Sequence, residues 1–269
     1  RGRGLASFAR EHEGGEPQPS HLVVLQHGLS GTAGDLRRLA EALETRLAGE
    51  VVVHAAVANE GRNLDGVAAG GRRLAAEIRD VAAGRPSLRR LSLVGNSLGG
   101  LYARFAAAEL FDGATSLVSS LRPEAFVTIG CPHLGVRGHT FLPVPAPLLP
   151  LAGVLFGRTG EDLVMRDSDR VLQEMAGQDG PFLAALRAFR RRGLFANLWG
   201  DFMVPFGTGA IEPAWGAGVG DEQRVRELRA RGGVEILDAA ALGRAADGVA
   251  LRWRAAGPAA PTVEEEEEE

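Results

Sequence analysis

"RRLSLVGNSLGG", residues 89–100, reads as an apolar strand that runs straight into a glycine turn. The segment after it, "LYARFAAAELF" (101–111), has the apolar spacing of a helix. Between the two lies Gly95-Asn96-Ser97-Leu98-Gly99. In a chain with 37 glycines a G-x-S-x-G pentapeptide alone is a weak signal. Its setting gives it mechanical meaning. A serine at a sharp strand-to-helix turn is held in strained backbone that lifts its side chain clear of the sheet edge. Small residues at 95 and 99 let strand and helix approach closely. The helix N-terminus behind the serine offers free N–H groups and the positive end of a dipole.

Outward from this turn the chain alternates. "HLVVLQHGLSG" (21–31) is a short apolar run ended by glycines, as for a strand buried on both faces. "DLRRLAEALETRL" (35–47) follows as a helix with Asp35 placed to cap it, then "VVVHAAVAN" (51–59) as a strand and 65–83 as a helix. "AFVTIGCPHLG" (125–135) is a fourth strand. Regular strand–helix alternation predicts an α/β domain with a mostly parallel sheet and helices on both faces. From 136 to 190 the alternation stops, and an insertion there is where such enzymes carry a cap or lid. Within it "VLQEMA" and 181–192 read as helices; strands are expected again at 194–205 and 233–240. The expected organisation is one domain over 20–255, a loose lead-in over 1–19 and a disordered acidic tail over 256–269.

Composition narrows the function. The net charge is -4 and every one of the 30 basic residues is arginine, which reads as compositional bias and gives no reason to expect nucleic-acid binding. The single Cys131 excludes an internal disulfide, as expected in a reducing compartment. An intracellular location is favoured, with no secretory signal in view; the chain begins at Arg1, so a leader lost upstream is an open possibility. The uncharged stretch "FLPVPAPLLPLAGVLFG" (141–157) is interrupted by Pro143, Pro145, Pro147 and Pro150, which prevents a regular spanning helix over its first half. Such a segment suits a lid over an apolar cleft or contact with a lipid surface.

In a parallel sheet the carboxyl ends of the strands share one edge, so the loop "HGLSG" (27–31) can sit beside Ser97. Its glycines free the backbone to point an N–H inward, that of Leu29. The second donor is the N–H of Leu98, directly after the serine. His27 is expected to serve as a hydrogen-bonding residue within the loop.

Six stretches in order, "HLVVLQHGLSG", "LDGVAAGGRRLAAEI", "LSLVGNSLGGLYARFA", "FVTIGCPHLG", "RTGEDLVMRD" and "LFANLWGDFMVPFGTGAI", carry a more specific resemblance. Over residues 21–212 the chain resembles a serine esterase family of lipase-like α/β-hydrolases. The resemblance implies the α/β-hydrolase fold and hydrolysis of a carboxylic, lipid-type ester through a Ser-His-Asp triad, with no metal and no organic cofactor. It matches Ser97 to the nucleophile and Asp201, in "NLWGDFMVP", to the acid that orients and stabilises an imidazolium. Asp167 in "VMRDSD" is a rival acid whose match to the family looks structural.

An activated serine needs a base, and in this fold the histidine follows the acid. The six histidines are His12, His21, His27, His54, His133 and His139, and none follows Asp201. Ala246 stands nearest to the position where the family has one. Three explanations compete: a histidine outside these residues, a catalytically inactive relative that binds lipid or acts as a scaffold, or a substitute base. For the last, His133 at the end of a neighbouring strand is best placed, and its spacing from Cys131 resembles a Cys-His pair. The expected partners are a lipid or acyl-ester substrate and a peripheral membrane surface; oligomeric state is not legible.

Overall fold

The computed structural model describes residues 18–111, 121–136, 151–197, 201, 203–212, 235–237 and 253–255. Five strands form one sheet: β1 (His21–Gln26), β2 (Val51–Ala55), β3 (Arg90–Asn96), β4 (Arg122–Ile129) and β5 (Arg191–Phe195). Their order is β2-β1-β3-β4-β5 and every neighbouring pair is parallel. Alternate residues of β1 serve the two faces, as a pleat of period two requires. Leu22 and Val24 join the main core with α2 (Val67–Ala83), α3 (Leu98–Leu110) and α6 (Pro181–Ala188). Val23 and Leu25 face α1 (Arg37–Arg46), which packs through Leu39, Ala40 and Leu43. The expected mostly parallel sheet with helices on both faces is what the described residues form.

The chain leaves β1 for β2 on one side, then crosses back to place β3 on the other side of β1. The strand order therefore reverses between β1 and β3. At such a reversal the connections after the two strands diverge, opening a crevice at their carboxyl ends. The loop after β1 and the turn after β3 flank this crevice, and they carry Leu29 and Ser97.

The turn from β3 into α3 is among the most tightly packed parts of the molecule. A Cβ on Gly95 would lie 2.4 Å from the Gly100 Cα, and one on Gly99 would lie 2.4 Å from the carbonyl oxygens of both Gln26 and His27. A Cβ on Gly100 would meet the Cys131 sulfur at 2.5 Å. Helix α3 thus rests directly on the backbones of β1 and β3. Farther along, Gly70 and Gly71 of α2 receive the rings of Tyr102 and Phe105 in the same way.

Several element boundaries differ from those expected. The last strand of the sheet is Arg191–Phe195, earlier than 194–205, and α6 stops at Ala188, short of 192. Three consecutive arginines at 190–192 extend a helical pattern on paper. At the sheet edge, however, charged residues are tolerated because one flank faces solvent. Of the expected strand at 233–240, the described residues form β6 (Glu235–Leu237), which pairs antiparallel with β7 (Trp253–Ala255) in a separate ribbon. A helix not foreseen, α4 (Leu151–Leu163), follows the prolines and is broken at Phe156–Gly157, where Gly157 has φ 55°. Asp35 lies in a 3-10 turn, Ala33–Leu36, just ahead of α1, where its carboxylate accepts the Thr32 N–H at 2.8 Å. The proline-rich segment 141–150, the lead-in to residue 17 and the acidic tail lie outside the described residues. Among the described residues no helix is long and apolar enough to cross a membrane.

Replacing Gly95 by Ala places a methyl against backbone that cannot move independently, so Gly95→Ala should destabilise the protein by about 2–3 kcal/mol, as overpacking does. Urea unfolding of the two proteins measures it, and a loss below about 0.5 kcal/mol would mean that the elbow is loosely packed.

Candidate active site

Ser97 stands at the N-terminus of α3 with φ 53° and ψ -129°, a conformation L-residues rarely adopt and that costs about 1–3 kcal/mol. Its N–H is held by the Ile129 carbonyl at 2.8 Å, and its own carbonyl accepts the Gly100 N–H at 2.9 Å. These bonds, with the glycine contacts above, over-determine the strained turn. The side chain is partly exposed. Gly28 lies beside it, since a Cβ built there would sit 3.3 Å from the Ser97 Oγ. The loop at 27–31 and the serine therefore share one rim of the sheet.

Two backbone donors belong to this rim. Leu98 is the first residue of α3, so its N–H has no partner within the helix. Leu29 follows Gly28 in a tight turn closed by the Gly31 N–H on the Gly28 carbonyl at 3.1 Å. Among the described residues neither the Leu29 nor the Leu98 N–H donates a hydrogen bond. His27 is fully buried and its Nδ1 lies 3.0 Å from the Gly28 carbonyl oxygen, a role within the loop.

Asp201 lies beyond β5 on the same edge. One carboxylate oxygen accepts the N–H groups of Met203 and Val204 at 3.1 and 2.8 Å, and the other accepts from the Asn197 amide at 3.0 Å. A Cβ on Gly130 would be 3.9 Å from it. Gly130 follows Ile129, the residue that anchors the Ser97 N–H, so serine and carboxylate flank the end of β4. The rival Asp167 is buried and accepts the first N–H of α5 (Val171–Ala176) at 2.7 Å. It serves as a helix cap.

His133 is drawn into different work. Its Nε2 is 2.9 Å from the Thr128 hydroxyl and its Nδ1 is 3.3 Å from an Arg104 guanidinium nitrogen. A guanidinium only donates, so Nδ1 must accept and Nε2 carries the proton. The ring is thus neutral, with both nitrogens engaged away from Ser97. Burial, reinforced by the Arg104 charge, pushes its pKa down to about 3. The nearby Cys131 sulfur, 3.7 Å from Nδ1, is fully enclosed, and burial pushes its thiol up to about 12. A thiol so placed has no thiolate to offer as a nucleophile.

Sequence reasoning missed the polar groups behind the rim: Gln26, Asn59, Asn63 and the buried Arg104. The signal for the first two was a polar residue closing an apolar run, in "VVLQ" and "AVAN". Among the described residues no group of three or more His, Cys, Asp or Glu is arranged to hold a metal ion.

Comparison with known proteins bears on this geometry. A family model described as "Putative serine esterase" matches residues 16–213. "Putative lipase C4A8.10" of Schizosaccharomyces pombe is 32% identical over 209 residues, covering 72% of this chain and 26% of that protein. "Putative lipase ROG1" of Saccharomyces cerevisiae is 33% identical over 201 residues, covering 71% and 28%. The chain spans about a quarter of the length of these curated relatives. Among solved structures, the mature Bacillus licheniformis lipase BlEst2 aligns with a TM-score of 0.43 at 18% identity over 69% of each chain. The Paleococcus ferrophilus monoacylglycerol lipase aligns with a TM-score of 0.40 at 18% identity, covering 72% of this chain and 80% of that one.

The depressed His133 pKa has a testable consequence. Between its ordinary value of 6.5 and about 3 the unfolded chain binds a proton that the folded chain refuses. Stability is therefore present above that window and is lost as pH falls through it. Urea unfolding at pH 7 and pH 5 should show a smaller acid loss for His133→Gln than for the wild type. Equal losses would place a solvated, titrating ring at this position.

Proposed function

The chain belongs to the serine esterase family whose model it matches over residues 16–213, and from that premise we propose that it hydrolyses a carboxylic ester of lipid type with Ser97 as nucleophile. The single observation that carries the reading is the strained Ser97 turn facing the glycine loop at 27–31. The Ser97 Oγ attacks the ester carbonyl carbon, and the N–H groups of Leu29 and Leu98 stabilise the negative charge that develops on the carbonyl oxygen. The tetrahedral intermediate collapses with loss of the alcohol, and water then attacks the acyl-serine to release the acid. Asp201, whose carboxylate is fixed by three hydrogen bonds, is placed to orient an imidazole. In this reading that base, which takes the serine proton and passes it to the departing alcohol, is a histidine outside these residues, since none follows Asp201 within them. In this reading His133 is a structural residue, because both of its nitrogens are committed elsewhere. No organic cofactor or metal takes part.

A lipid surface is the partner that the exposed apolar side chains around α4 suit. Leu64, Val154 and Leu155 are 50%, 78% and 67% exposed, and the break in α4 rests on Leu64. Exposed apolar side chains of this kind would enter the acyl layer of a membrane. Burying one leucine contributes about 1.5–3 kcal/mol. Leu155→Glu should therefore weaken co-sedimentation with phosphatidylcholine vesicles at least about tenfold, and unchanged binding would remove this surface from the account.

A second reading is favoured by one observation, that no histidine follows Asp201 in these residues. It makes the protein an inactive lipid-binding relative on the same fold. Labelling with a fluorophosphonate probe separates the two. The hydrolase should be labelled in a way that Ser97→Ala abolishes and His133→Gln leaves within a few-fold. Absence of Ser97-dependent labelling in the folded, full-length protein would reject the hydrolase and leave the binding protein.

A further inference from the structure

The side chains of Gln26 and Asn59, 1% and 0% exposed, are not part of the site described above, yet Gln26 bonds to the His27 carbonyl ahead of Leu29 and Asn59 bonds to Gln26. The Asn59 Oδ1 accepts from the Arg73 Nε at 2.9 Å. Arginine can only donate, so this contact fixes which way the Asn59 amide faces. Its Nδ2 is then bound to donate, and it does so to the Gln26 Oε1 and the Gly70 carbonyl, each at 3.1 Å. With its oxygen engaged, Gln26 has its nitrogen left for the His27 carbonyl, at 3.0 Å. The relay from Arg73 to the His27 carbonyl therefore runs in one sense only. On its other side the His27 carbonyl is met by Gly99 of α3, where a Cβ would lie 2.4 Å away.

We infer that Asn59 is a positioning residue for the loop at 27–31: through Gln26 it fixes the His27 peptide and hence the donor geometry at Leu29. The inference rests on the proposed role of Leu29, but its structural part does not. Asn59→Asp keeps the size of the side chain and the contact with Arg73. It replaces the donor by a carboxylate oxygen that faces two carbonyl-type oxygens. To relieve this, the Gln26 amide must turn over, which sets its own oxygen against the His27 carbonyl. The loop then has to move away from the serine.

The test has two readouts on the full chain. Hydrogen exchange followed by mass spectrometry reports the loop, where the Gly31 N–H is protected by its bond to the Gly28 carbonyl. Labelling by the fluorophosphonate probe reports Ser97. Asn59→Asp should speed exchange across 27–31 by about tenfold relative to strands β3 and β4, and slow labelling by at least about tenfold, since donors acting on a developing charge are sensitive to small displacement. With p-nitrophenyl butyrate the loss should fall on kcat and leave KM within about twofold, as for an interaction made in the transition state. A merely structural asparagine would lower the melting temperature and leave loop-specific exchange at the wild-type ratio. That result would overturn the inference. Should Asn59→Asp fail to fold, Gln26→Met decides: it removes the bond to His27 while preserving volume, and wild-type exchange and labelling in that variant would overturn the inference equally. If the wild type itself is not labelled at Ser97, the hydrolase reading falls while the exchange experiment still judges Asn59.

Discussion

The contact on which the rest depends is backbone against backbone, where α3 leaves β3. Gly95, Gly99 and Gly100 allow the helix to sit directly on two strands, at distances a single methyl would destroy. That closeness leaves Ser97 no ordinary backbone conformation, and the hydrogen bonds on either side of it hold the strain in place. The strain is therefore a consequence of packing: the fold confines the turn, and the turn in turn aims the hydroxyl outward. The same approach brings the carbonyls of Gln26 and His27 against α3, so the neighbouring loop is located by the same few ångströms.

Polar groups are buried behind this rim, and they divide into two sets. One, from Arg73 through Asn59 to Gln26, consists of donors and acceptors matched in one sense. The other sets a buried guanidinium, Arg104, against a neutral imidazole and the Met175 carbonyl. His133 remains neutral there because of burial first, reinforced by the neighbouring cation. Buried polar clusters specify geometry more than they add stability, because a mismatched partner is costly where water cannot substitute. Both sets border the sheet edge that carries Ser97, so errors in either would be felt there first.

Much of the fold was legible because its signals are local. Apolar runs ended by glycines located β1 to β4, and helical spacing located α1 to α3. The elbow was legible through its neighbours, since G-x-S-x-G gains meaning from the strand before it and the helix after it. What could not be read was decided by tertiary context. The arginines at 190–192 look helical until the sheet edge accepts them as β5. His133 looks poised until Thr128 and Arg104, remote or nearby in sequence, claim its two nitrogens. Asn59, legible only as a polar residue closing an apolar run, could not be assigned a role, because its partners Gln26, Gly70 and Arg73 come together only in the folded chain.

The break at Phe156–Gly157 divides α4 into halves with different obligations. Beyond it, Thr159 and Asp162 are bolted to the backbone at 63, 66 and 67 by buried hydrogen bonds. Before it, Val154 and Leu155 face outward. Substitutions at Val154 and Leu155 therefore leave these buried bonds untouched. For an engineer this marks two surface positions open to replacement, and for descendants of this gene it marks where diversification is cheapest.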